Sequence, residues 1–197
     1  MNHTKNQPSK NTVKGSIRII AGKHRGRKLP VLMADGLRPT TDRVKETVFN
    51  WLMPYIQDAK CLDCFAGSGS LGFEAISRGA KEVILLELNK QAAKQLEQNK
   101  LLLKTDKVIV KQTNTLDYLQ QSISPFDLIF LDPPFHKQLA EQCATLLNNG
   151  WLAANALIYV EMEANNNSQQ LPANWSLLKE KIAGQVSYRL YQLQEEL

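Results

Sequence analysis

Asp132, Pro133, Pro134 and Phe135 follow directly on an apolar run, Leu128, Ile129, Phe130 and Leu131, that reads as a buried strand. Prolines cannot continue a central strand, because they offer no donor to the ladder. The segment therefore sets a carboxylate, two rigid residues and a ring at the mouth of a sheet. That set suits one kind of chemistry. An amino group whose lone pair is delocalised into a ring attacks poorly. The Asp132 carboxylate and the Pro133 carbonyl can each accept one of its N–H bonds and hold the nitrogen in line with an electrophile. Phe135 offers a face on which a flipped-out base stacks, a contact worth about 1–3 kcal/mol. A simple strand-to-helix turn capped by Asp132 would leave the prolines and the ring unexplained.

A second constellation lies upstream. Gly67, Gly69 and Gly72 form G-x-G-x-x-G between an expected strand and an expected helix, which matches the dinucleotide fingerprint. Glu87 ends the next strand, twenty residues beyond Gly67, where a carboxylate can accept hydrogen bonds from ribose hydroxyls. A nicotinamide-dependent oxidoreductase is one reading, and structural glycines with no ligand are another. Two features favour S-adenosylmethionine. Asp63, four residues before Gly67, suits a cationic amino group and would repel a pyrophosphate. In addition, no histidine or lysine downstream completes a hydride-transfer set. Asn114, just past the third strand, is placed either to meet an adenine edge or simply to shape a turn.

These residues need a scaffold, and the pattern supplies one. From Lys60 onward, strand and helix alternate: KCLDCF, the helix SLGFEAISRG, EVILLEL, the helix NKQAAKQLEQNKLLL, KVIVKQ, a short helix around LDYLQQ, FDLIFLD, the helix HKQLAEQCATLLNNG, and ALIYVE. Parallel strands with crossover helices on both faces are the economical solution. In such a sheet the fourth strand returns beside the first, bringing Asp132 next to the glycine loop. The last segment, WSLLKEKIAGQVSYRLYQL, reads as an antiparallel hairpin, giving seven strands in all. Upstream, SIRIIAGKHRGRKLPVL reads as two short strands around a Gly-bounded turn. A helix then opens near Asp42, with Val44, Val48, Trp51, Leu52 and Tyr55 on its apolar face.

Charge separates the two ends. Residues 1–50 carry eleven Lys/Arg against three Asp/Glu, whereas the remainder carries thirteen against sixteen. A basic excess within a structured segment points to a polyanionic partner. Arg18, Lys23, Arg25, Arg27 and Lys28 lie on or beside the hairpin, and Arg43 follows in the helix. Three cysteines argue against a disulfide framework and suit a reducing cytoplasm. Cys61 and Cys64 are expected as core residues facing opposite sides of a strand. No metal site is expected. The chain divides into a disordered basic tail (1–15), a basic β-hairpin (16–38) and a main domain (39–197).

Taken together, DCFAGSGSLG, LLEL and DPPF at their strand ends resemble the bacterial 16S ribosomal RNA guanine-N2 methyltransferases of the RsmD type. The resemblance covers nearly the whole chain past the tail, through blocks such as IRIIAGKHRGRKLPV, GLRPTTDRVKETVFNWL, NGWL and GQVSYRLYQ. It implies a Rossmann-like class I methyltransferase fold and transfer of a methyl group from S-adenosylmethionine to N2 of guanine 966 in 16S rRNA. It further implies that Asp63, Gly67 and Gly69 hold the cofactor's methionine end, Glu87 its ribose and Asn114 its adenine. Asp132, Pro133, Pro134 and Phe135 would meet the target amino group. The expected partner is 16S rRNA within a partly or fully assembled small subunit, met by a monomer in the cytoplasm. Two other function classes stay open: a DNA adenine- or cytosine-amino methyltransferase, and a non-catalytic RNA-binding module.

Overall fold

A computed structural model describes residues 14–32, 41–121, 125–134, 138–164 and 170–194. A two-stranded antiparallel hairpin comes first, β1 (Lys14–Arg18) and β2 (Lys28–Leu32). Helix α1 (Asp42–Leu52) leads into a seven-stranded sheet. Its elements are β3 (Lys60–Asp63), α2 (Ser70–Ser77), β4 (Glu82–Glu87), α3 (Lys90–Leu103), β5 (Val108–Gln112), α4 (Thr115–Leu119), β6 (Phe126–Leu131) and α5 (Leu139–Leu147). They continue with β7 (Leu152–Glu163), β8 (Trp175–Ala183) and β9 (Val186–Leu193). The strand order is β5-β4-β3-β6-β7-β9-β8. All pairings are parallel up to β7, while β9 and β8 run antiparallel at one edge. The order reverses between β3 and β6, the place where open α/β sheets bind ligands.

Alternation along the central strands divides the core in two. Cys61, Leu85, Leu128, Phe130 and Tyr159 face the layer formed by α1, α2, α3 and the hairpin. Leu62, Cys64, Ile84, Ile129, Leu131 and Val160 face α4 and α5. The two cysteines of the C-x-x-C thus belong to opposite clusters, both buried.

Three expectations need correction. Strand β1 starts at Lys14, so residues 14 and 15 are hairpin rather than tail; residues 1–13 and 33–40 lie outside the described residues. Helix α1 stops at Leu52, because Met53, Pro54 and Tyr55 form a turn, and Tyr55 is half exposed. Its buried face keeps the expected Val48 and Leu52 and adds Phe49 and, unexpectedly, Lys45. Thr41 caps this helix by accepting the Val44 N–H (3.3 Å).

Candidate functional site

Strand β3 ends at Asp63, which is buried, and the chain then turns through Gly67 and Gly69 into α2. Gly69 takes a left-handed conformation (φ +77°), and a Cβ there would lie 2.5 Å from the Phe73 ring. A side chain at Gly72 would meet Leu85 at 2.3 Å, so this glycine lets α2 pack closely on β4. Because Gly69 has no side chain, it cannot cap α2; Asp63 accepts the Gly72 N–H, which leaves the Ser70 and Leu71 amides without a side-chain cap from Gly69. Ser70 follows, with a buried hydroxyl that finds no hydrogen-bond partner among the described residues. Uncapped amides and an orphaned hydroxyl together suit an anionic group such as a carboxylate.

Glu87, at the end of β4, braces this loop. It accepts the Gly67 N–H (2.9 Å) and the Asn89 N–H (2.7 Å), one on each carboxylate oxygen. A carboxylate has about four acceptor sites, so lone pairs remain for hydroxyl donors. Asn114 is committed differently: its side-chain oxygen caps α4 through the N–H groups of Leu116 (2.8 Å) and Asp117 (3.4 Å), which leaves the amide nitrogen. The neighbouring Thr115 hydroxyl donates to the Cys64 carbonyl, tying α4 to the end of β3.

Asp132 lies at the reversal, just past β6. Asp63 is in register with Phe130, and Phe130 with Tyr159, so these three share a sheet face. Two residues on, alternation returns Asp132 and Glu161 to that face. Burial pushes the Asp132 carboxyl well above the ordinary carboxylate range, and the negative charges of Glu161 and Asp63 push it further. Burial likewise raises Asp63 to about 7, with Glu87 adding to the shift while N–H groups of Phe65 and Gly72 oppose it. Glu161 is also raised by burial, against the opposing hydrogen bond that it accepts from the Tyr159 hydroxyl (2.6 Å). Among the described residues no lysine or arginine forms an ion pair with Asp63, Asp132 or Glu161. Three desolvated carboxyls thus share one sheet face at the order reversal. Pro133 is buried and Pro134 exposed, while Phe135 lies outside the described residues.

The basic residues divide into two groups. Arg18 pairs with Asp42 (3.4 Å), and Arg27 donates to the Leu102 carbonyl at the end of α3 (2.7 Å). Lys23, Arg25 and Lys28 are exposed on the hairpin, and Arg43 is exposed on α1, where its charge acts on Tyr188.

The family model described as "Conserved hypothetical protein 95" matches residues 17–192. The ribosomal RNA small subunit methyltransferase D of Haemophilus influenzae is 60% identical over 184 residues, covering 91% of this chain and 95% of that one. The Escherichia coli K12 protein of the same name is 55% identical and covers 90% of each chain. The chain belongs to the family of ribosomal RNA small subunit methyltransferases D. A solved structure from this group, yhhF of Escherichia coli, superposes with a TM-score of 0.86 at 51% identity, covering 92% of this chain and all of the other. The glycine loop, the Asp132 turn and the hairpin from Ile17 onward fall within the residues matched by the family model.

Sequence reasoning missed four residues of this region: Glu161, Tyr159, Ser70 and Thr115. Glu161 carried the one available signal, an acid placed in the apolar run ALIYVEM where a buried strand would favour another aliphatic residue.

Proposed function

We propose that the protein transfers a methyl group from S-adenosylmethionine to the exocyclic N2 of guanine 966 in 16S rRNA. The coarser part, methylation of ribosomal RNA, follows from its family; the donor and the target atom rest on the site. One observation carries the reading. Asp132 sits at the order reversal, on the same sheet face as Asp63 and one strand away from it.

The residues present fit the donor. Asp63 takes the ammonium of its methionine end, the first amides of α2 and the Ser70 hydroxyl take the carboxylate, and Glu87 takes the ribose hydroxyls. Asn114 keeps its amide nitrogen for the adenine. S-adenosylmethionine supplies, when bound, a methyl carbon made electrophilic by its sulfonium. Asp132 and the Pro133 carbonyl accept the two N–H bonds of the guanine amino group, fixing the nitrogen's direction and favouring a more tetrahedral, reactive form. The Asp132 carboxylate offsets the charge that grows on nitrogen as the new bond forms, and then takes the displaced proton. Pro134 restricts the turn, so that both acceptors need little reorganisation. Phe135 stacks on the base. Asp63, when ionised, also counts against a nicotinamide dinucleotide, whose pyrophosphate it would repel.

Lys23, Arg25 and Lys28 supply phosphate contacts, with Arg18, Arg27 and Arg43 beside them; such contacts add affinity and orientation but little base selectivity. The substrate is rRNA in a partly or fully assembled small subunit, and the enzyme acts in the cytoplasm as a monomer. The test is transfer of labelled methyl from S-adenosylmethionine to 16S rRNA and to small subunits, with the product nucleoside identified by mass. N2-methylguanosine at position 966 is expected. N6-methyladenosine, or label appearing only in DNA, would overturn the reading.

A further inference from the structure

Glu74 is fully buried in the middle of α2, yet it takes no part in the pocket. It faces the turn between β1 and β2. Its carboxylate accepts the backbone N–H groups of Ile20 (2.8 Å) and Ala21 (3.0 Å) and pairs with Arg78 (2.7 Å) and Lys45 (4.0 Å). The buried Lys45 ammonium also donates to the Arg18 carbonyl (2.6 Å). Ser77, three residues further along α2, completes the joint. Its hydroxyl accepts the His24 N–H (2.9 Å) and donates to the Ala21 carbonyl, while its own carbonyl accepts the Lys23 N–H (2.7 Å). Gly22 lies between these bonds at φ +80°, and a Cβ there would sit 1.8 Å from the Ser77 carbonyl oxygen.

Stability alone gives a poor account of this arrangement. Ile17, Ile19, Leu29 and Val31 already fix the hairpin in the apolar core. Adding a buried ion cluster returns little over well-packed apolar side chains, because desolvation offsets the attraction. What directional bonds add is orientation. The backbone at residues 20, 21, 23 and 24 is tied to one helix, and the side chains of Lys23, at one tie, and Arg25, just after the last, are exposed. The other end of α2 is the Gly69–Ser70 turn of the pocket. Eight residues of helix span about 12 Å, so a short rigid rod joins the two.

We propose that Glu74, Ser77 and Gly22 are positioning residues for the RNA: they lock the Lys23–Arg25 turn to α2, so that the basic surface and the glycine loop act as one rigid body. The inference rests on the reading of this turn as RNA-facing. Gly22→Ala and Ser77→Ala test it, since both keep every basic residue on the chain. In a methylation assay on small subunits, KM for the RNA substrate rises about tenfold, equivalent to roughly 1.4 kcal/mol. The dependence of log KM on log salt becomes shallower, while kcat at saturating substrate and S-adenosylmethionine affinity stay within about twofold, because phosphate contacts position rather than react. An unchanged KM and salt slope in both variants, even with lowered thermal stability, would mean that the joint is merely structural. A doubly substituted Lys23→Ala/Arg25→Ala protein separates the two ideas. If its KM is also unchanged, the RNA-facing reading of the turn fails; if its KM rises while those of the other variants do not, only the locking fails.

Discussion

Glu74 and Asp63 are both buried carboxylates, eleven residues apart on consecutive elements, and the chain treats them in opposite ways. Glu74 is fully engaged, by Arg78, by Lys45 and by two backbone N–H groups. Asp63 has two backbone N–H groups and no ion pair with a cation among the described residues, and the charges that act on it or that it acts on include the acids Glu87 and Asp132. Burial without a cation is costly, and at Asp63 it shows as a raised pKa. Under the proposed function, the contrast separates a structural carboxylate from one kept for a ligand. The first completes its charge balance within the fold, and the second leaves that balance to whatever binds.

The largest effect should come from the pocket. Asp132→Ala should lower the methylation rate by about a hundredfold or more, since one preorganised acceptor is lost, while calorimetry finds S-adenosylmethionine affinity nearly unchanged. Full activity would remove Asp132 from the chemistry and blur the contrast.

Next comes the pH dependence of cofactor binding. With Asp63 raised to about 7, the unliganded protein holds this proton below that pH and loses it above. An ammonium group binds the ionised form, so affinity should rise with pH, by at most about tenfold per unit below pH 7, and then level off. Titrations in buffers of different ionisation heat should show net proton release. Asp63→Asn should bind weakly and without that slope.

A smaller effect is expected one strand away. Glu161→Gln removes a negative charge that raises Asp132, so the Asp132 carboxyl falls. The acid limb of the kcat profile should therefore move to lower pH, by about one unit or less. A uniform loss at every pH would instead mark Glu161 as a packing residue. The smallest change should follow Arg25→Ala alone, which weakens RNA binding a few-fold and reduces the salt slope by about one.

The fold was largely legible because its strands are short apolar runs with abrupt ends. FDLIFL and EVILLE leave little choice of period, and the alternation of strand and helix leads to the expectation, met in the pairing, that β6 returns beside β3. The placement of Asp63, Glu87 and Asp132 at strand ends was legible from the apolar runs before them. Lys45 and Glu74 were not. Each stands in a helix where a charged residue is normally solvated, and only the hairpin, folding back from far along the chain, buries them. Asn114 shows the converse problem: a helix cap and a ligand contact call for the same residue type at the same place. Glu161 needed the pairing of β6 with β7, a long-range register that local pattern cannot supply.

The bridge that Glu87 makes from Gly67 to Asn89 carries a kinetic corollary. With the turns after β3 and β4 pinned to a single side chain, the adenosyl group of the proposed donor would meet a cradle that is set before contact, with little ordering left to impose. Capture should then proceed in one fast phase whose rate scales with concentration, with no slow rearrangement behind it.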